Sequence, residues 1–182
     1  MKKIIFNIFL LISISMSSQS IDLVNPNKNI GVENWGIVND DVMGGISKST
    51  LSLSNENNLV FNGYLSLENN GGFASSRMRL DEKTVSGVKS FKIKLKGDGN
   101  IYKLRFRQSN RRVSYSSNFQ SVDGKWVEVE LPIENFKPTW RGYTYNDYPA
   151  MDLDKVNIMG IQISDKQEGN FNLEIEYVKG VY

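Results

Sequence analysis

The sequence predicts an all-β protein that folds as a β-sandwich or a barrel. Three observations carry this prediction. No segment after the first 20 residues shows a convincing helix of ten residues or more. Apolar and polar residues instead alternate with a period of two, which is the pattern of a half-buried strand. Clusters of Gly, Asn, Asp and Pro separate the alternating segments and mark turns.

Nine segments meet these criteria in order along the chain. Their number and regular spacing are typical of sandwiches and barrels. Asn- and Gly-rich turns separate several of them, among them 55–58, 69–72 and 97–100. Both residues tolerate the positive φ angles of tight β connections. The predicted strands are Thr50–Leu53, Leu59–Leu67, Ala74–Leu80, Ser90–Lys96, Tyr102–Gln108, Val113–Phe119, Trp126–Leu131, Val156–Ile163 and Phe171–Val178.

The alternation also predicts which side chains face the core. In Ser90–Lys96 the apolar residues face inward and three lysines face outward. In Phe171–Val178 the inward set is Phe171, Leu173, Ile175 and Tyr177, and Glu174 and Glu176 face outward. Glu128 and Glu130 form a second acidic stripe. If these strands are neighbours, the lysine and glutamate stripes pair across the sheet.

Two segments do not alternate cleanly, 34–49 and 137–153. Long irregular segments on a β scaffold often carry function. The second holds Trp140, Tyr143, Tyr145 and Tyr148. These rings offer a stacking platform for sugars, with Arg141 as a polar clamp. The alternative, which we favour, is that they cover the open end of the sandwich as a satellite core cluster.

The N-terminus has the pattern of a cleavable signal peptide over residues 1–20. Lys2 and Lys3 precede an apolar run that is too short to span a bilayer comfortably, and Ser18 and Ser20 suit the cleavage positions. We therefore expect a single domain at 21–182, with no transmembrane segment after cleavage and a periplasmic or secreted location. Removing the two lysines leaves equal numbers of basic and acidic residues. A nucleic-acid partner is not expected, because the electrostatic footprint it requires is missing.

The chain contains no Cys and no His. Thiol catalysis, thiolate metal sites and the commonest general base are therefore excluded. The Glu128/Glu130 and Glu174/Glu176 pairs have the spacing of glycosidase carboxylates, but a solvated stripe is the simpler interpretation. Aspartates at 40, 41, 147, 152, 154 and 165 offer oxygen ligands for a structural Ca²⁺, yet no Asp-x-Asp-x-Asp-Gly loop is present. We expect no cofactor, no metal and no enzymatic activity.

Arginines are numerous for a neutral protein. Arg77 and Arg79 share one face of a predicted strand, and Arg105 and Arg107 share a face of another. Such pairs can line a groove and hold a carboxylate or a phosphate. They can equally pair with the aspartates of the Gly-rich segment. The sequence leaves both alternatives open.

Several ordered strings resemble the complex I intermediate-associated protein 30 family, over roughly Val32 to Tyr177. The first begins at Trp35 and contains Asn39-Asp40 and Gly44-Gly45. The others are 61–77, 126–132, 136–142 and 158–171. The resemblance implies a galactose-binding-like jelly roll. For the mitochondrial members it also implies a non-catalytic, chaperone-like role in assembling NADH:ubiquinone oxidoreductase.

The motif positions, together with Trp140 of the aromatic segment, supply the candidate site residues. Gly44, Gly45, Gly72 and Gly142 are expected in tight backbone turns. The tentative binding residues are Asn39, Asp40, Arg77, Trp140, Arg141 and Asp165. Four of them, Asp40, Arg77, Arg141 and Asp165, can form a polar cluster at one end of the sandwich, as a buried brace or as a ligand clamp. The leading hypothesis is a binding module that helps to assemble another protein. Carbohydrate binding is the alternative, and a glycoside hydrolase or lyase is the third.

Overall fold

The computed structural model describes residues 19–109 and 111–182, so most of the predicted signal peptide lies outside the described residues. Within these described ranges, thirteen strands form two antiparallel sheets. The strands are β1 Ser20–Val24, β2 Gly36–Ile37, β3 Lys48–Leu53, β4 Leu59–Leu65, β5 Ala74–Arg79, β6 Ser90–Lys96, β7 Ile101–Gln108, β8 Ser114–Gln120, β9 Trp126–Pro132, β10 Lys137–Trp140, β11 Tyr143–Thr144, β12 Val156–Ile163 and β13 Gly169–Val181. The short 3₁₀ helices are Pro26–Lys28, Asp40–Met43, Glu68–Asn70, Ile133–Asn135 and Leu153–Lys155.

The first sheet has the strand order β3-β4-β13-β6-β9, and β1 also pairs with β13. The second sheet has the order β11-β10-β8-β7-β12-β5-β2. The predicted all-β jelly-roll sandwich is therefore confirmed. Neighbours in each sheet are often far apart in sequence, because the chain crosses repeatedly from one sheet to the other.

The core lies between the sheets, where the inward sides of the alternating strands meet. Phe91 of the first sheet stacks on Phe106 of the second, with ring centroids 4.4 Å apart. Phe136 packs edge-on against Phe91 at 5.6 Å. Tyr102 and Tyr115 are fully buried as well. Each buried aromatic ring removes a large apolar area from water, so this stack ties the two sheets together.

All nine predicted strands are present, with ends that differ by a few residues at most. Four further strands, β1, β2, β10 and β11, were not predicted. β2 and β11 have two residues each, which is too few to show a period, and β1 and β10 lie outside the segments that the alternation marked. β1 begins at Ser20, the last residue of the predicted signal peptide, and pairs with the C-terminal end of β13. β10 contains Pro138, and proline normally argues against a strand.

One side-chain orientation is wrong. Tyr177 was expected to face the core, but the pairing of β13 with β6 shifts register between Ile175 and Tyr177. A bulge of this kind turns the following side chains to the other face. Val178 is consequently buried in place of Tyr177. The Tyr177 hydroxyl instead donates a hydrogen bond to Glu128 on the outer face of the first sheet.

Candidate functional site

A cleft of about 510 Å³ covers the outer face of the second sheet. Its floor is formed by strands β5, β7, β8, β10 and β12, and its walls by residues 70–73, 140–142 and 164–166. The strands present every second side chain to this face, because their other side chains fill the core. The outward residues of β7 that line the floor are Lys103, Arg105 and Arg107, all of them basic.

The cross-strand register arranges the floor in rows. In the central row Ser116 lies opposite Arg105, Arg105 opposite Gly160, and Gly160 opposite Arg77. In the next row Ser114 lies opposite Arg107. Gly160 has no side chain, and the Arg77 side chain packs against it, with Cγ 3.2 Å from where a Cβ would stand. A Cβ there would meet the Ser76 carbonyl oxygen at 2.9 Å.

The arginines of the floor have no acidic partners. Every ion pair among the described residues uses a lysine. Arg105 donates from Nη1 to Gln162 Oε1 at 2.5 Å, and its Nε is buried without a hydrogen-bond partner. For three of the four paired arginines the structure favours the groove, whereas Arg79 does not line it. Arg77, Arg105 and Arg107 all line the cleft.

Burial and repulsion between neighbouring arginines disfavour the charged form of Arg105 and Arg77. Burial, with added repulsion from Arg77 and Arg107, lowers the pKa of Arg105 to about 10. Burial and repulsion from Arg107 also lower the pKa of Arg77. Both groups remain charged at neutral pH, so the floor carries concentrated positive charge that nothing within the described chain compensates.

The walls hold three more of the predicted binding residues. The Arg141 guanidinium lies over the Trp140 ring, 4.9 Å from its centroid. Asp165 accepts from Lys103 Nζ at 2.7 Å and from Ser164 Oγ at 3.1 Å. Asp165 thus forms an ion pair with Lys103, and among the described residues it forms none with an arginine. Four of the six predicted binding residues, Arg77, Trp140, Arg141 and Asp165, therefore share one cleft.

Asp40 and Asn39 do not line the cleft. Asp40 is fully buried, and its carboxylate accepts from Ser47 N at 2.9 Å, Ser47 Oγ at 2.5 Å and Gly72 N at 2.7 Å. Burial opposes its ionisation, but the hydrogen bonds from Ser47, Gly72 and Phe73 prevail and hold the pKa of Asp40 below its usual value. Asn39 Oδ1 accepts from Ser49 Oγ at 2.8 Å. The geometry of Asp40 is that of a brace joining the Gly-rich segment to the cleft wall at 71–73. The predicted four-member polar cluster does not form.

The motif glycines serve this brace and the turns around it. A Cβ on Gly45 would collide with the Asp40 carboxyl group. Gly72, at φ 125°, turns its N–H toward Asp40. Gly44 and Gly142 also have positive φ, at 92° and 81°.

The predicted aromatic platform is not assembled as a unit. Trp140 lines the cleft, but Tyr143, Tyr145 and Tyr148 do not. Tyr148 packs on Tyr115 and Tyr145 at 6.4 and 6.1 Å, and Tyr115 donates to the Pro149 carbonyl at 2.8 Å. Tyr148 thus extends the core at the end of the sandwich, as the favoured alternative expected, whereas Tyr143 and Tyr145 are exposed.

The glutamate pairs lie on the opposite surface of the molecule. On the outer face of the first sheet Lys92 contacts Glu128 and Glu130 at 3.6 and 3.5 Å. Lys94 contacts Glu176 at 2.8 Å, and Lys96 contacts Glu174 at 2.7 Å. The predicted pairing of the stripes is confirmed, and these carboxylates are remote from the cleft. No cluster of three or more candidate metal-ligating residues occurs among residues 19–109 and 111–182.

Comparison with known proteins identifies the family. The profile of the complex I intermediate-associated protein 30 family matches residues 22–175, which covers almost the whole sandwich. The chain belongs to this family. The resemblance seen in the sequence is thereby confirmed.

Two of the curated relatives that the chain matches are animal proteins. The chain is 25% identical over 173 residues to the mitochondrial complex I intermediate-associated protein 30 of Mus musculus, covering 83% of this chain and 52% of that protein. It is 27% identical over 161 residues to the probable counterpart of Caenorhabditis elegans, covering 76% and 46%. The chain thus spans about half the length of these relatives.

The relatives correct one prediction. The relatives from Mus musculus, Caenorhabditis elegans and Caenorhabditis briggsae are named as mitochondrial proteins, which contradicts the predicted periplasmic or secreted location. The prediction rested on charge and hydropathy near the N-terminus, and an apolar run behind two lysines does not specify which membrane it engages. Within the described part of the chain, no helix has the length and apolar character needed to cross a membrane.

Solved structures with this fold include carbohydrate-binding modules. The family 11 module of a Clostridium thermocellum cellulase superposes with a TM-score of 0.67 at 13% identity, covering 91% of this chain and 95% of the module. An agarase superposes with a TM-score of 0.61 at 10% identity, covering 90% of this chain and 24% of the enzyme. At such low identity the likeness concerns the fold alone.

Proposed function

We propose that this protein is a non-catalytic, chaperone-like assembly factor that binds partner proteins during the assembly of mitochondrial complex I. The observation that carries the proposal is the family match across residues 22–175. The names of the curated relatives support a mitochondrial location as part of this proposal.

The chemistry of the surface supports binding rather than turnover. The cleft floor presents guanidinium, hydroxyl and amide groups, and Asp165, the one carboxylate among the described residues that line the cleft, is engaged by Lys103. Guanidinium groups stay protonated at neutral pH and are poor general bases. Donor groups of this kind suit the recognition of a partner.

The proposal is tested by deletion and capture in the organism that makes the protein. Deletion should lower the amount of assembled complex I on native gels and cause smaller intermediates to accumulate. A tagged chain should co-purify with named complex I subunits. Normal complex I in the deletion strain, together with no subunit in the captured fraction, would refute the proposal.

Carbohydrate binding is the second candidate. It is favoured by the fold likeness to carbohydrate-binding modules and by the half-buried Trp140 in the cleft wall. Glycan titration followed by tryptophan fluorescence distinguishes the two candidates. A saturable change that disappears in Trp140→Ala, but persists in Trp126→Ala on the opposite sheet, would support a sugar site. No saturable change across a glycan panel would exclude it for those glycans.

A further inference from the structure

We infer that the cleft binds an extended acidic segment of a partner protein, in which carboxylates at alternate positions engage Arg105 and Arg107. This inference rests on the proposed assembly function and names the surface and the chemistry of recognition. It begins from the uncompensated charge of the floor.

A desolvated cation without a partner is costly in a folded protein. Arg77, Arg105 and Arg107 form no ion pair with any carboxylate of the described residues, and the Arg105 Nε lacks any hydrogen-bond partner. Folds tolerate such groups where the missing partner is supplied by a ligand. The ligand that this floor lacks is therefore an anion. A neutral sugar has no negative charge with which to pair the arginines.

The spacing of the cations favours an extended peptide. Lys103, Arg105 and Arg107 are successive outward residues of β7, so their Cα atoms repeat every ~7 Å along the strand. An extended peptide presents its own alternate side chains at the same interval. A chain with the pattern acidic-x-acidic, running along β7, therefore brings its carboxylates to Arg105 and Arg107 in register.

The width of the floor accommodates such a chain. Arg77 and Arg105 are separated by the β12 strand, hence by about 10 Å between their backbones. Gly160 adds no side chain between them, and the Arg77 stem packs against it. Both arginines line the cleft, and a guanidinium group binds a carboxylate through two parallel hydrogen bonds. Ser114 and Ser116 present hydroxyls beside this path for the peptide backbone.

The test uses a fluorescent peptide of alternating Glu and Ser, with a Gln-Ser peptide of equal length as its control. We expect anisotropy to report saturable, salt-sensitive binding of the Glu peptide alone. Arg105→Met and Arg77→Gln should each weaken binding at least about tenfold, the size of one lost charge-assisted contact. The matched variant Lys92→Gln, on the other sheet, should leave binding unchanged. Thermal melts verify that each variant is folded.

Other results would overturn the inference. These are no binding of the Glu peptide, equal binding by the arginine variants, or tighter binding of a sulfated polysaccharide or of anionic vesicles than of the peptide. Capture from mitochondria separates this failure from that of the assembly role. If wild-type protein and the Arg77→Gln/Arg105→Met double variant retain the same complex I subunits, the cleft is not the docking site, although the assembly role stands. If neither retains a subunit, the assembly role itself fails.

Discussion

Arg105 and Arg77 lie in the same row of the second sheet with only Gly160 between them, and neither forms an ion pair with a carboxylate of the described chain. Burial and repulsion from Arg77 and Arg107 lower the pKa of Arg105, and burial and repulsion from Arg107 lower the pKa of Arg77. This arrangement favours ligand binding at the expense of the stability of the free protein.

Arg105→Met should therefore stabilise the unliganded protein. The substitution removes a desolvated charge and an unpaired Nε, and the methionine stem can fill much of the same space. We expect a gain of about 1 kcal/mol, or ~2–4 °C in Tm. Thermal unfolding followed by circular dichroism measures it. A large fall in Tm would show that Arg105 holds the sheet together.

Asp40→Asn should destabilise the protein by about 3 kcal/mol at neutral pH, because an amide cannot accept all the hydrogen bonds that the carboxylate receives. The folded-state pKa of Asp40 is lowered, so its stabilisation is complete above the unfolded value of 3.8 and is lost as the pH falls through the folded value. The difference between wild type and variant should therefore shrink below about pH 4. Urea titrations at a series of pH values test this, and a constant difference would contradict the brace.

Gly45→Ala and Gly44→Ala form a matched pair. The new Cβ at Gly45 collides with the Asp40 carboxyl group, whereas at Gly44 it meets nothing within 4 Å. Gly44→Ala should thus cost only about 1 kcal/mol for its positive φ. Gly45→Ala should cost more than about 2 kcal/mol. Equal losses in chemical denaturation would mean that Asp40 moves away freely.

Lys96→Met should cost more than Lys92→Met. Glu174 is 8% exposed and accepts from Lys96 and from Asn58 Nδ2 at 2.9 Å, so losing Lys96 leaves a carboxylate poorly compensated. Lys92 contacts exposed glutamates at 3.5 Å or more, a geometry worth at most about 1 kcal/mol. Comparative denaturation of the two variants checks the ranking, and a larger loss for Lys92→Met would reverse our assignment of the buried pair.

The sequence predicts the sandwich well because alternation reports burial directly. Phe91, Ile93 and Leu95 face the core as expected, opposite three lysines. It fails at Tyr177, because a bulge that reverses the pattern depends on pairing with another strand. It also misses β11, whose two residues are too few to show a period.

The candidate site is only partly predictable. Arg105 and Arg107 were visible as a pair on one face of a strand, but their lack of acidic partners depends on the strand order. Gly160 and Gln162 were missed, since only the register places them between and beside arginines. Asp40 was assigned to the same cluster as Arg77 because one motif string does not reveal which face a loop residue takes.

Site-specific photo-crosslinking can show whether a partner protein occupies the cleft. A photoreactive side chain replaces Thr139 in the cleft or, as the control, Lys92 on the outer face of the first sheet. After irradiation in mitochondria, the Thr139 position should crosslink to a complex I subunit, at a segment with alternating acidic residues, and the Lys92 position should not. Crosslinks from Lys92 alone, or no difference between the positions, would contradict the assignment of the cleft as the partner-binding surface.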